Sequence, residues 1–476
     1  MLVVAAVVAV YERRRPEHTE LWRCVRKHLP AFLARASEAD RPVPDFVKGE
    51  LEGFLDCGIL DNGFARVRCE GCGFERLVAF SCKGRGVCPS CVARRMSDTA
   101  AHLVDHVFPE VPVRQWVLSV PAPLRYLLAW DSELLSIVVA IFMGAVFRQL
   151  ARAAKREGVV QRQTDGHAGG VCVVQRWGGS ANLNVHLHAL VADGVFVTED
   201  GDAVRFRALP EPEKGEIAAV AWDVCERVVG LLCKRGQWLD GEPGEDRLAE
   251  AEPLLAQLYA ASIAGTLVLG PKAGQRQMRL FGAPACESTD RTALRNAYGF
   301  DVDASVRVPA DDRKRLERLA RYMLRPALSK DRLSRQSDGC YRIALKKAWR
   351  DGTTHIILDG PELVGRLAAL VPPPRVHLTR YFGVFAPRAK LRRAVVPQCA
   401  DELRSCTHAH ATPDTPKMRA RRYSWSRLLA RVFAIDVLAC PKCPSRMQSI
   451  EWVTRPERIR TFLKSTGPPN EVEAAA

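Results

Sequence analysis

The chain has 476 residues, a length that suggests two to four domains. Hydrophobic residues make up 47% and charged residues 26%, a globular composition that excludes disorder as the main state. Seventy Lys and Arg against 54 Asp and Glu give a net charge of +16, which points to a polyanionic partner, nucleic acid before membrane surface.

The apolar run Met1 to Val10 is too short to span a bilayer and lacks the basic leader of a secretory signal, so it reads as a frayed helix or an early-placed start. Helical spacing follows over residues 17 to 55. Six cysteines then fall close together: Cys57, Cys69, Cys72, Cys82, Cys88 and Cys91. Gln115 to Val120 is a β-rich run stopped by Pro121 and Pro123, hence a strand. Residues 132 to 155 form an apolar pattern running into Arg148 and Arg152, which predicts a buried amphipathic helix rather than a membrane span. Val171 to Arg176 and Asn184 to Val191 predict two strands joined at Gly178-Gly179-Ser180. A helix over 213 to 235, a strand over 264 to 269 and a helix over 310 to 325 complete the predicted elements. Helix and strand are mixed without strict alternation, which favours α+β. Pro372-Pro373-Pro374 and residues 397 to 416 read as linkers. The boundaries that result are a helical segment 1–55, a cysteine-rich module 56–98, a mixed helix-and-strand domain 99–350 and a basic region 351–476.

Cys69, Cys72, Cys88 and Cys91 spell C-x2-C-x15-C-x2-C, the spacing of a structural zinc site. Two intervening residues let both thiolates of a pair face one ion, and Gly71 and Gly73 permit the tight backbone this needs. Cys82 is left over, beside the site. Lys83, Arg85, Arg94 and Arg95 surround the knuckles and can touch phosphate or simply face solvent. A further C-x2-C, Cys440-Pro441-Lys442-Cys443, has no partner pair after it and reads as a half site. Isolated cysteines such as Cys172, Cys225 and Cys340 read as small apolar residues.

His186 and His188 stand at i and i+2 of a predicted strand, so both side chains leave one face while Leu187 turns into the core. Two imidazoles so placed can hold a divalent ion with positions left open for substrate oxygen. Gln175 falls opposite His186 if the hairpin folds about Ser180-Ala181, and its amide oxygen can be a third ligand; a strand-end glutamine can equally face solvent. Asp193 is an alternative. Downstream, residues 311 to 350 carry 13 Lys or Arg against 5 Asp or Glu. In that segment Leu316, Leu319, Ala320, Met323 and Leu324 form an apolar helical stripe, and Tyr322 falls off it between Arg318 at i−4 and Arg325 at i+3. Cations beside a phenol favour the nucleophilic phenolate, although exposed tyrosines on basic helices are common without such a role.

In this order, a four-Cys module, a His-hydrophobic-His strand and a Tyr helix resemble the rolling-circle transposases of insertion sequence ninety-one and the related common-region elements, within the HUH superfamily of single-strand nucleases. The resemblance extends over Arg68 to Met96, Gln115 to Pro121, Gln175 to Phe196, Arg318 to Leu333 and His377 to Phe385. It implies a central antiparallel sheet flanked by helices, catalytic Mg2+ or Mn2+ on His186 and His188 with Gln175, and Tyr322 as nucleophile. It further implies single-stranded DNA as partner, gripped by Arg318, Arg321 and Arg325, no nucleotide cofactor, no membrane, and a bacterial cytoplasmic, nucleoid-associated setting. Two-tyrosine members place a second Tyr four residues after the first; here Pro326 stands there, so the chain resembles a single-tyrosine member. No G-x-x-x-x-G-K-[ST] loop is present, consistent with chemistry that needs no nucleotide. The Arg-rich segments 375 to 393 and 417 to 431 are further candidates for backbone contact. A plasmid replication initiator or relaxase would share the chemistry, whereas a non-catalytic zinc DNA-binding protein would keep only the cysteines. A metallo-hydrolase pattern H-x-H-x-D-H fails at Leu190 and Val191.

Overall fold

The computed structural model describes residues 13–199, 203–237, 246–281, 294–295, 299–397, 423–433 and 435–466. The N-terminal apolar run and nearly all of the linker expected at 397 to 416 lie outside them.

The centre is a six-stranded antiparallel sheet in an α+β fold. Its order is 294–295, Asp301–Val308, Val113–Ser119, Leu183–Ala192, Gly169–Trp177, Thr379–Gly383. The strand bearing the two histidines is therefore internal, which is why it reads as nearly continuous apolar sequence. Val185, Leu187, Ala189 and Val191 join one core with Leu134, Val138 and Phe142 of helix Ser132–Arg156. Leu190 and Ala192 face the other way, into a core shared with Leu103 and Val104 of helix Pro89–His106 and with Leu316, Ala320 and Met323 of helix Arg313–Leu324. By alternation His186 and His188 lie on this second face, the face that the tyrosine helix covers. Helix Ser132–Arg156 is long and apolar enough to cross a membrane by length and composition alone. Its apolar stripe is spent on the sheet.

Three expectations change. The strand expected over 264 to 269 is reduced to an isolated antiparallel bridge between Thr266 and Arg276: Gly265 takes a left-handed φ of 72°, and the Val268 and Leu269 N–H groups donate to the buried Glu362 carboxylate instead of to a ladder. The boundary expected at residue 350 falls inside a sheet, because Thr353–Leu358 pairs with Tyr341–Ala344 on one side and Met278–Phe281 on the other. The triple proline is no inter-domain linker: Pro372 is buried, and the chain beyond it returns as the edge strand Thr379–Gly383 of the central sheet.

Asp193, weighed above as a metal ligand, is committed elsewhere. It ends the histidine strand 3% exposed, accepting from Arg114 Nε at 2.9 Å, Arg114 Nη2 at 3.1 Å and Arg307 Nε at 2.8 Å. Arg114 is itself 1% exposed. Removing one partner of such a pair strands a charge in low dielectric. Asp193→Ala should therefore lower unfolding free energy by about 3–5 kcal/mol, measured by urea denaturation, and a loss within experimental error would contradict this account.

Candidate metal and nucleophile sites

The cysteines do not group as their spacing predicted. Among the described residues the sulfurs form two quartets, Cys57 with Cys82, Cys88 and Cys91, and Cys69 with Cys72, Cys440 and Cys443. In each, the ligand atoms lie within 4.8 Å of one another. The expected set of Cys69, Cys72, Cys88 and Cys91 is split between them. The physical reason is the hairpin of Phe64–Cys69 and Glu75–Ala79, which carries the knuckle Cys69–Cys72 at its tip while Cys57 and Cys82 flank its base. Cys82 is thus no spare, and Cys440 and Cys443 are no half site.

In the first quartet Cys57 caps helix Asp45–Asp56, Cys88 precedes helix Pro89–His106, and Cys91 sits in that helix's first turn. Sulfur separations are 3.6 Å for Cys57–Cys91, 3.5 Å for Cys82–Cys91 and 3.5 Å for Cys57–Cys88. Thiolates around zinc at about 2.3 Å stand about 3.8 Å apart, so the donor set fits this ion. Glu50 shapes the loop before Cys88, accepting from Gly86 N at 2.6 Å and Val87 N at 3.2 Å. Four thiolates, three of them buried, leave no open coordination position, which makes this a structural site.

The histidine face is built by three strands. Gln175 pairs directly with His186 across the hairpin, as expected. Its Nε2 donates to the Met323 carbonyl at 2.9 Å, which leaves Oε1 for another partner. His186 Nδ1–H donates to the Asn184 carbonyl at 2.7 Å, so its Nε2 carries the lone pair. Among the described residues the buried His188 Nε2 has no hydrogen-bond partner, which suits a nitrogen that takes a ligand. Gln115 Nε2 lies 3.0 Å from the His188 Nδ1; as placed this amide N–H donates to Nδ1, and the His188 Nε2 presents its lone pair only when the amide is flipped so that its oxygen accepts from Nδ1–H. Gln115 was missed in the sequence; its signal was a buried-face polar residue between Val113 and Val117 in an apolar strand. The two imidazole rings are 4.9 Å apart. Burial lowers His186 to about 4, with Arg125 and Arg325 also acting to lower it and the Asn184 carbonyl opposing. Burial also lowers His188 to about 3, assisted by His186 and Arg325. Both imidazoles are neutral at pH 7, the form that binds metals.

Tyr322 is 49% exposed at the end of helix Arg313–Leu324. The helix starts at Asp312, whose side chain accepts from Arg315 N at 2.8 Å, and stops before Pro326, which disfavours helical backbone at Arg325. Arg325 is extended, and its guanidinium lies 4.1 Å from the centre of the Tyr322 ring, with Lys346 Nζ at 5.5 Å. Partial burial raises the phenol pKa, but the Arg325 hydrogen bond and the charges of Arg325, Lys346 and Lys347 outweigh it, so the net shift is downward. Arg318 is exposed. Arg321 is engaged by the carboxylate of Glu317, which Arg431 also pairs with at 2.7 Å, so Arg321 is the least available of the three arginines expected to meet DNA.

The other described tyrosines are occupied. Tyr341 is 1% exposed and stands edge-on to His28, Tyr423 donates to Asp105, and Tyr126 donates to Asp246. Tyr259 is fully buried against Arg176, and Tyr381 lies in the sheet's edge strand. Tyr298 lies outside the described residues.

Cys57→Ser and Cys88→Ser should each cost about one equivalent of zinc, and the double variant no more than either alone, by plasma emission analysis. Because the folded histidine pKa values lie below the 6.5 of a free imidazole, Mn2+ binding should persist as pH falls to about 5 and fail only nearer 4. Stability should decline as pH falls from about 6.5 toward 4, the range in which the unfolded chain binds more protons than the folded one. Gln115→Ala should weaken Mn2+ about 10–100-fold, read by calorimetry.

A family model described as a putative transposase matches residues 169–393, the span that contains the histidine strand and the tyrosine helix. A second, described as a transposase zinc-binding domain, matches residues 24–120. No curated protein and no solved structure matches the chain.

Proposed function

The chain belongs to the transposases of the insertion-sequence-ninety-one type, and we propose that it cuts and rejoins single-stranded DNA through a 5′-phosphotyrosine link on Tyr322, in rolling-circle transposition. One observation carries this reading. The only phenol that is both exposed and flanked by cations, among the described residues, stands on the helix whose Met323 carbonyl is bonded to Gln175, the residue opposite His186.

Nε2 of His186 and His188 and Oε1 of Gln175 would hold the divalent ion, Mg2+ or Mn2+. When bound, the ion supplies Lewis-acid polarisation of the scissile phosphate. The chain's own groups do the rest. Arg325 and Lys346 draw the phenol toward phenolate and offset charge as it builds on the phosphoryl oxygens. The Tyr322 oxygen attacks phosphorus, a new O–P bond forms, and the bond to the 3′ oxygen breaks. The phenol proton leaves to solvent, and the departing 3′ oxygen takes one up as a free hydroxyl. The link conserves the phosphoester, so a 3′-OH can reverse it without nucleotide hydrolysis. Arg318 contacts flanking phosphate, which positions the strand without reading its sequence.

Tyr322→Phe should keep zinc content and single-strand affinity yet give no covalent adduct with a suicide single-stranded substrate and Mn2+ on a denaturing gel. His186→Ala should retain binding and cut adduct formation by about a hundredfold or more. An adduct of wild-type intensity in Tyr322→Phe would overturn the assignment.

A further inference from the structure

We propose that Cys69, Cys72, Cys440 and Cys443 bind a second zinc ion, and that this ion clasps the two ends of the chain into one zinc ribbon. The site is independent of the cleavage reading, and half of it lies beyond both matched family regions.

The geometry points to a metal rather than to crosslinks. The cross-knuckle sulfur separations are 3.4 Å for Cys69–Cys443 and 3.5 Å for Cys72–Cys440. A disulfide needs about 2.05 Å and pairs two sulfurs, whereas here all four converge on one point. Both halves are folded as knuckles. In the first, Cys69 N donates to the Phe74 carbonyl at 2.8 Å, and Gly73 turns the chain with a left-handed φ of 73°. In the second, Cys440 N donates to the Ser445 carbonyl at 3.1 Å, and Lys442 N points at Cys440 Sγ from 3.4 Å. The halves meet closely enough that a Cβ on Gly71 would lie 2.3 Å from Ser445 Oγ. The requirement at Gly71 is thus the approach of the other end of the chain.

A sheet continues from the knuckles. Met447–Val453 pairs antiparallel with Phe64–Cys69, from Cys69 opposite Met447 to Phe64 opposite Val453. Arg66 bridges it, bonded to Glu451 at 2.6 Å and to Glu75 on the far strand. Yet the apolar cores here are small: Leu60, Phe64, Val453 and Ile459 in one, Cys69, Cys440 and Met447 in the other. So little buried surface does not hold a sheet of this size by itself, and a structural ion supplies the missing folding free energy.

Full-length wild-type protein should contain two equivalents of zinc by plasma emission. Cys443→Ser should contain one, and Cys57→Ser combined with Cys443→Ser none. Cadmium NMR of the wild type, which needs no variant to fold, should show two resonances, both in the all-thiolate range. Hydrogen exchange in Cys443→Ser should quicken at Met447–Val453 and leave Leu183–Ala192 protected. One equivalent in the wild type, a single cadmium resonance, two equivalents surviving in Cys443→Ser, or these four cysteines recovered as disulfides would overturn the proposal.

Discussion

The 2.9 Å hydrogen bond from Gln175 Nε2 to the Met323 carbonyl couples the two halves of the candidate centre. A carbonyl in the last turn of a helix has no intrahelical donor, and a buried one must find a partner. Here the partner comes from the strand that pairs with the histidine strand, at the residue opposite His186. The bond therefore sets the axial position of the tyrosine helix on the sheet. It also orients the Gln175 amide, because the group spent on Met323 is the NH2. Helix, amide and imidazoles then share one face, and Arg325 acts electrostatically on Tyr322, His186 and His188 together.

A second constraint is closure of the chain on itself. Residues near 440 to 453 complete structures begun near 64 to 72, and Arg431, just before them, pairs with Asp105 and with Glu317 of the tyrosine helix. The described residues 423–433 and 435–453 are thus braces on earlier elements. Their arginines are correspondingly divided. Those such as Arg431 that hold carboxylates in place are unavailable to phosphate, and net charge alone would overstate the surface left for DNA.

Local periodicity made much of this legible. The alternation through Val185, His186, Leu187 and His188 placed the histidines on one face, and the stripe from Leu316 to Leu324 put Tyr322 off the core. Hairpin geometry even placed Gln175 opposite His186. What failed was partnership between distant segments. Cys69 and Cys88 are spaced as a zinc motif should be, but spacing along a chain cannot say which pairs a sheet will bring together. The strand expected after Gly265 failed for a related reason: Glu362, far downstream, supplied the acceptor that a ladder would have supplied. Gln115 was hidden because its role depends on a diagonal neighbour in another strand.

Pro326 links the departure from the two-tyrosine pattern to the environment of the tyrosine that remains. A proline four residues after Tyr322 does more than remove a phenol. It disfavours helix at Arg325, which is extended with ψ of 158°, and the helix ends at Leu324. Residue 326 therefore does not continue the helix face that carries Tyr322. The extended Arg325 instead brings its guanidinium 4.1 Å from the Tyr322 ring. Pro326 thus goes together with a cation that lowers the phenol's pKa. The same backbone that leaves no helical position for a second tyrosine at residue 326 brings the Arg325 cation against the Tyr322 ring, and the proposed single-tyrosine reading rests on that coupling.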